Sequence, residues 1–212
     1  MKPLIRIEGV AAPLLIDDIN TDMIAPTRPR AGMTASKMAE KEFDPAALFA
    51  PLRYLNDGSE NPDFILNSPA YKAAKILIAG RNFGCGSSRE QAVWLLADFG
   101  IECIIAPGFG GIFFDSCFKN GILPIVLPED EVRTLAGKAT ETATFNVDVA
   151  ARVIEGPEGS RRAFDLPEFR RAALLAGVDD IEMTLRRDAE LKQFVARDRS
   201  ERPWIYVQEV SS

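Results

Sequence analysis

The sequence predicts an α/β fold built around a parallel strand–helix–strand unit in its central third, and three observations carry that prediction. Short apolar runs recur at residues 75–79, 101–106 and 122–127, each with the length and bounding signals of a buried strand. Between them lie two segments with helical apolar spacing, 89–99 (Ala92, Leu95, Leu96 and Phe99 on one face) and 112–120. Each is closed by a glycine, Gly100 and Gly121, where a chain leaves its helix in the left-handed conformation. Strand–helix–strand–helix–strand with short links implies parallel pairing and right-handed crossovers.

The flanks read less regularly. Residues 4–19 carry β-type side chains broken by Ala11-Ala12-Pro13, and 17–22 form a polar turn rich in Asp and Asn. Met23-Ile24-Ala25-Pro26 resumes an apolar course, and 28–42 reads as a mobile loop with a short helix. Asp44 and Pro45 have the cap and first-turn chemistry of a helix start. Toward the C-terminus, 145–154 alternates like one strand, 155–159 is a turn, and 161–166 can pair back. Residues 167–176 and 181–195 read as helices, and the chain after Arg199 as a tail anchored by Trp204.

Composition bounds the function. The chain has 212 residues, 47% hydrophobic and 26% charged, values of a packed globule with room for one domain and an appendage or two small ones. The net charge is −6 and the basic residues are scattered, which argues against nucleic acid. One or two local arginines still suffice for a small anion, because a distant negative field is screened. No apolar window is long enough to span a bilayer, and charges at Lys2 and Arg6 interrupt the N-terminus too early for a secretory signal; the expectation is a cytoplasmic protein. Histidine is absent, which removes the commonest general base and the commonest protein metal ligand. The three cysteines, Cys85, Cys103 and Cys117, lack metal-clip or redox spacing. They read as reduced thiols, so no metal is assigned to this chain.

The most informative stretch is Asn82-Phe83-Gly84-Cys85-Gly86-Ser87-Ser88-Arg89-Glu90-Gln91-Ala92. It joins a buried strand to a helix start, the end of a parallel sheet where ligands bind. Gly84 and Gly86 permit backbone geometry closed to other residues and let a ligand approach the main chain. Ser87 and Glu90 have capping-box spacing, free first-turn amides favour an anion, and Arg89 offers a fork suited to a carboxylate. Two readings remain open on these residues alone: a substrate cradle, or a well-capped helix after a tight turn. A phosphate loop fits less well, since the stretch lacks the Gly-Lys-Ser/Thr ending.

The same residues resemble the signature of the aconitase swivelling-domain family, and within it the small subunits of the isopropylmalate dehydratases. Gly84-Cys85-Gly86-Ser87-Ser88-Arg89-Glu90 carries the resemblance, and Asp18-Ile19-Asn20-Thr21-Asp22-Met23-Ile24 is similar to the family's N-terminal motif. Further matches are Leu48-Phe49, Arg53-Tyr54, Asp57-Gly58, Phe64-Ile65-Leu66-Asn67, Phe113-Phe114, Asn120-Gly121-Ile122-Leu123-Pro124 and Gly177-Val178-Asp179-Asp180-Ile181. Several motifs in order are more specific than one glycine loop. The resemblance implies a swivelling β/β/α three-layer domain over residues 1–127, with a substrate loop at about 26–43, and a C-terminal strand pair and helices over 128–212 packed on the same domain.

It also implies an activity: a hydro-lyase of leucine biosynthesis that isomerises 2-isopropylmalate to 3-isopropylmalate by removing water and adding it back the other way round. This chain would bind no cofactor itself. A large partner subunit would bring a [4Fe-4S] cluster, and the substrate would be a small diacid. By the family's motif, Ser87 is the catalytic base, Ser88, Arg89, Thr21 and Asp22 bind substrate, and Gly84 and Gly86 support an oxyanion site. The sequence departs from the family pattern at Gln91, often histidine there, at Thr27, often lysine, and across 28–41. Alternative readings are the same machinery acting on another diacid (2-methylmalate or citraconate, dimethylmalate, homocitrate) or a non-catalytic anion-binding module.

Overall fold

The computed structural model describes residues 1–26 and 45–206. The expected substrate loop at 26–43, the Thr27 departure and the Asp44 cap fall, except for Pro26, outside the described residues. The chain divides into two compact units, Met1–Gly177 and Val178–Ser212.

In the first unit, among the described residues, seven strands form one sheet in the order β4-β3-β2-β1-β5-β6-β7. They are β1 (Arg6–Leu14), β2 (Ile76–Ala79), β3 (Cys103–Ala106), β4 (Leu123–Val126), β5 (Thr144–Asp148), β6 (Val153–Glu155) and β7 (Arg161–Ala163). β1 to β4 pair in parallel, as the central pattern requires, and β5, β6 and β7 continue antiparallel. β1 joins the two halves: Arg6 to Val10 pair with β5, and Ala11 to Leu14 pair with β2. Thus Ala11-Ala12-Pro13 does not break the strand. Beyond Val10, β1 has a ladder on one side, so the amide that Pro13 lacks is not required by a second neighbour.

The strand pair expected near the C-terminus is a three-stranded antiparallel extension of the same sheet. The alternation over 145–154 belongs to two strands, because Asp148 accepts the Ala151 amide at 2.7 Å and Arg152 takes a positive φ of 56°, turning the chain between them.

Side chains alternate across the parallel strands. Leu77, Ala79, Ile104 and Ala106 join one core cluster with helix α3 (Glu90–Phe99) and helix α4 (Gly111–Lys119), which follow the one-turn helices α1 (Thr21–Ile24) and α2 (Ala50–Arg53) in the chain, through Ala92, Val93, Leu95, Leu96, Phe113 and Cys117. Ile76, Ile78, Cys103 and Ile105 join a second cluster with Val132 and Leu135 of helix α5 (Glu129–Lys138) and with Phe145, Val147 and Ile154 of the antiparallel strands. A sheet buried on both faces explains why β2 and β3 read as unbroken apolar runs. α3 ends where the sequence marks it: Gly100 has φ 108°, and its N–H donates to Leu96 and Ala97. Helix α6 (Glu168–Ala176) closes this unit.

The second unit holds helices α7 (Asp180–Leu185) and α8 (Asp188–Glu201), not the single helix expected over 181–195. Asp179 caps α7 by accepting the Glu182 amide at 2.7 Å. Trp204 is 75% exposed, unlike the anchor expected of it. The end of this segment is fixed instead by Asp198, which pairs with Arg202 and accepts the Tyr206 hydroxyl at 2.7 Å. The Tyr206 and Arg202 donors hold the Asp198 carboxyl below the usual range. Among the described residues no helix is long and apolar enough to cross a membrane.

Cys103 and Cys117 are fully buried and Cys85 is half-buried on its loop. Burial pushes the Cys103 and Cys117 thiols well above their usual range, and a thiol held neutral is a poor nucleophile. A thiol reagent should therefore label Cys85 in the folded protein and reach the other two only after denaturation, as mass spectrometry of the labelled peptides would show.

Candidate active site

Two short links leave the carboxyl ends of the adjacent parallel strands β1 and β2, and they run side by side. Asp18 N–H donates to Arg81 O at 2.9 Å, Gly84 N–H to Ile19 O at 2.7 Å, and Thr21 N–H to Cys85 O at 2.9 Å. Asn20 and Cys85 form an isolated parallel bridge. The link after β3 flanks the other side, with Phe83 N–H on Gly108 O at 3.0 Å and Gly110 N–H on Phe83 O at 2.9 Å. Asp17 ties the base of the pair: it accepts the Arg81 main-chain amide at 2.8 Å and both Nε (3.1 Å) and Nη2 (2.8 Å) of the Arg81 guanidinium. That main-chain bond first, and the guanidinium second, holds the Asp17 carboxyl below its usual range.

Asn20 then starts a one-turn helix, α1 (Thr21–Ile24), capping it by accepting the Met23 amide at 2.9 Å. Thr21 and Asp22 thus occupy its first two positions and point at the glycine loop. The loop rests on aromatic rings. Gly84 has φ 71°, and a Cβ there would lie 2.2 Å from the Phe113 ring; a Cβ on Gly110 would lie 2.5 Å from Gly84 O. Phe83 is fully buried and meets Phe113 edge-on at 5.5 Å between centroids, with Phe49 and Phe109 at 6.5 Å. Gly86 has φ 99°, and its missing side chain faces Asn20 and Thr21 at 3.5 Å.

The expected capping box does not form. α3 begins at Glu90 with Arg89 as its N-cap, and no side chain caps it. Ser87 lies two residues before that cap, so its hydroxyl is released for another partner. It meets Thr21: Thr21 Oγ1 lies 3.1 Å from Ser87 O, to which it donates, and 3.2 Å from Ser87 Oγ. Arg89 Nη1 lies 2.5 Å from Asp22 Oδ1 and donates to Ala25 O at 3.0 Å. The Nε and Nη2 donors of Arg89 meet no acceptor among the described residues. Ser87 and Ser88 are exposed, Arg89 is half-buried and Thr21 is 1% exposed. The amides of Gly86, Ser87 and Ser88 donate to no acceptor among the described residues, and they bracket the two serine hydroxyls.

The loop thus brings together Thr21, Asp22, Ser87 and Arg89, and Ser88 shares the site without a hydrogen-bond partner among the described residues. Gln91, where the family often has histidine, is exposed in the first turn of α3 and lines an open depression with Ser88, Arg89 and Trp94. Trp94 is 42% exposed, and its ring N–H donates to Asn120 at 3.0 Å. Sequence reasoning missed three supports: the Ala25 carbonyl, the Asp17–Arg81 tie and the Phe113 floor beneath Gly84. The Asn20 cap lies in a stretch read only as a polar turn; the other three supports join residues more than sixty or about thirty positions apart.

Among the described residues no group of three or more His, Cys, Asp or Glu is placed to hold a metal ion. Two cysteines are sealed in the core and the third stands alone on the loop, so these residues do not fit an iron–sulfur cluster.

Residues 1–130 match the family described as the aconitase C-terminal domain. A Rhodospirillum centenum protein named 3-isopropylmalate dehydratase small subunit is 49% identical over 206 residues, covering 96% of this chain and 98% of its own. Its namesake in Azorhizobium caulinodans is 45% identical over 207 residues, covering 97% of this chain and all of its own. Among solved structures, the 3-isopropylmalate dehydratase of Methanocaldococcus jannaschii superposes with a TM-score of 0.60 at 25% identity, over 89% of this chain and 98% of that one.

Gly84→Ala should be among the costlier small substitutions in the protein, because both the φ and the Phe113 ring oppose a methyl group. A loss of about 1–3 kcal/mol is expected by chemical denaturation. Asp17→Asn should remove part of the acid dependence of stability. Because the folded carboxyl is lowered from 3.8, its contribution is present above that value and fades as pH falls through the folded value. Wild type should therefore lead the variant near neutral pH and converge with it in strong acid, as urea midpoints across the acid range would show.

Proposed function

The chain belongs to the family of the aconitase C-terminal domain, and from that premise we propose that it is the small subunit of a two-chain hydro-lyase interconverting 2- and 3-isopropylmalate. The observation that carries the reading is the pairing, at one loop junction above a parallel sheet, of Ser87 with Thr21 and of Arg89 with Asp22. Full-length similarity to proteins named for that enzyme supports it.

A malate-type diacid presents a carboxylate, a carbon carrying hydroxyl, and a neighbouring carbon whose proton must be removed. Arg89 is prepared for the carboxylate. Asp22 and Ala25 take up Nη1, which leaves the parallel Nε–H and Nη2–H donors as the edge that grips two carboxylate oxygens. Asp22 and Ala25 fix the guanidinium through the one nitrogen and leave that edge without an acceptor among the described residues. Ser88, exposed beside it, offers a hydroxyl to the same oxygens.

Ser87 is the base in this reading. A serine hydroxyl is too weak an acid to serve unless its anion is stabilised, and that requires preorganised donors. The amides of Gly86, Ser87 and Ser88, without an acceptor among the described residues, supply them, together with the dipole at the start of α3. The proton taken by Ser87 Oγ from one carbon is returned to its neighbour when water adds back. No histidine is needed for either half. A [4Fe-4S] cluster held by the large subunit would supply Lewis acidity toward the departing hydroxyl. This chain without that partner is inactive.

Reconstituted with a large subunit of confirmed cluster content, Ser87→Ala should lower kcat by at least about a hundredfold while substrate affinity changes little. Arg89→Lys should weaken binding and rate together by about 1.5–3 kcal/mol, since an ammonium cannot grip a carboxylate, Asp22 and Ala25 in one plane. Near-normal turnover of Ser87→Ala would remove Ser87 as the base; turnover of 2-isopropylmalate by the isolated chain would remove the two-chain reading.

A further inference from the structure

We propose that Thr21 is a positioning residue whose buried hydroxyl holds the Ser87 side chain and switches its hydrogen bond onto Ser87 Oγ whenever that oxygen lacks its proton. The inference rests on Ser87 being the base, and it moves Thr21 from the substrate-binding role its motif implies.

Three observations carry it. First, Thr21 is 1% exposed, so its side chain is not available to a ligand in the open cleft, whereas Ser87 is exposed. Second, Thr21 Oγ1 stands nearly equidistant from two acceptors on the same residue, Ser87 O at 3.1 Å and Ser87 Oγ at 3.2 Å. A hydroxyl has one proton and can serve one of them fully. Third, Ser87 O has a second donor: Arg89 N–H lies 2.9 Å away. Releasing Ser87 O therefore leaves no carbonyl unpaired.

The two protonation states of Ser87 then fix two arrangements. With Oγ protonated, Thr21 donates to Ser87 O and accepts the Ser87 hydroxyl. With Oγ ionised, that oxygen can only accept, a bond to it is charge-assisted and about twice as strong as a neutral one, and the Thr21 hydrogen turns onto it. The switch is a rotation about one C–O bond. Heavy atoms stay in place because the Thr21 main-chain amide is tied to Cys85 O at 2.9 Å and a β-branched side chain is stiff at χ1. In the proposed reaction the substrate C–H bond breaks, its electron pair forms the new double bond as hydroxide leaves, and the proton forms Oγ–H. Thr21 exchanges no proton with the substrate. It stabilises the ionised serine before each abstraction and again after the proton is handed to the neighbouring carbon.

The test compares Thr21→Val, which keeps the branching and removes the hydroxyl, with Thr21→Ser, which keeps the hydroxyl. In the reconstituted two-subunit enzyme, Thr21→Val should lower kcat about a hundredfold, the loss typical of one missing oxyanion donor. KM should stay within about threefold, and the pH–rate profile should move to higher pH because the serine ionises less readily. Thr21→Ser should restore most of kcat and the profile. In the isolated chain, exchange of the Arg89 amide, which donates to Ser87 O, should quicken in the valine variant and recover in the serine variant. Wild-type kcat in Thr21→Val, an unmoved pH profile, or a loss that Thr21→Ser fails to rescue would overturn the inference. Ser87→Ala separates the two levels. If it is inactive while Thr21→Val is normal, only the Thr21 role fails; if it is active, the assignment of the base fails.

Discussion

The structure depends on the lateral zipping of two loops that leave neighbouring parallel strands. Gly84 N–H on Ile19 O and Thr21 N–H on Cys85 O extend the β1–β2 pairing past the end of the sheet. Residues more than sixty positions apart are thereby fixed to within a hydrogen bond. Main-chain bonds of this kind carry no side-chain entropy, so the register they set is stiffer than any pair of long side chains could make it. Everything at the junction inherits that register: Thr21 against Ser87, Asp22 against Arg89, and Asp17 against Arg81.

Beneath the zipped loops lies a floor of rings that admits one backbone path. Phe83 fills the space between Phe49, Phe109 and Phe113, and Gly84 crosses the Phe113 ring where a Cβ has no room. Phe49 itself is fully buried at a positive φ of 52°, a conformation unfavourable for a bulky residue; its amide bond to Ile24 O at 2.9 Å and its contacts with Phe64 and Phe83 hold it there. The loop is therefore shaped from below by aromatic packing and from the side by main-chain bonds. Its upper face carries two serine hydroxyls and, among the described residues, amides and one guanidinium edge without an acceptor, which the proposed function assigns to the substrate.

That division fits a chain without histidine. The proposed chemistry asks a serine to act as a base, which is workable only where donors are placed in advance. It asks an arginine to recognise a carboxylate while itself paired to Asp22, which is workable because a guanidinium has more donors than one carboxylate can occupy. Neither demand calls for a metal ligand on this chain, and its cysteines are spent on packing and on the loop. In the proposed complex the acceptor for a departing hydroxyl is assigned to the partner.

The sequence by itself determined the parallel unit, the apolar face of its first helix, the glycines that end both helices and the candidate residues of the site, because these are set by local periodicity and by short motifs with local backbone demands. Ser87, Ser88, Arg89, Thr21, Asp22, Gly84 and Gly86 were all legible as candidates, although their roles rest on resemblance. Tertiary structure decided the rest. It carried β1 through Ala11-Ala12-Pro13, because the parallel ladder with β2, continuing a strand already paired with β5 up to Val10, outweighs a weak local propensity. It split the alternating run at 145–154 with an Asp148 turn, and it broke the last helix at Arg186 and Arg187. It also denied Ser87 and Glu90 their capping box. That spacing is a property of one helix, but the Ser87 hydroxyl faces a second loop, and a partner sixty-six residues away takes it. Contacts between distant segments have no signature in local pattern, and they decided which of two chemically sensible hydrogen bonds this serine makes.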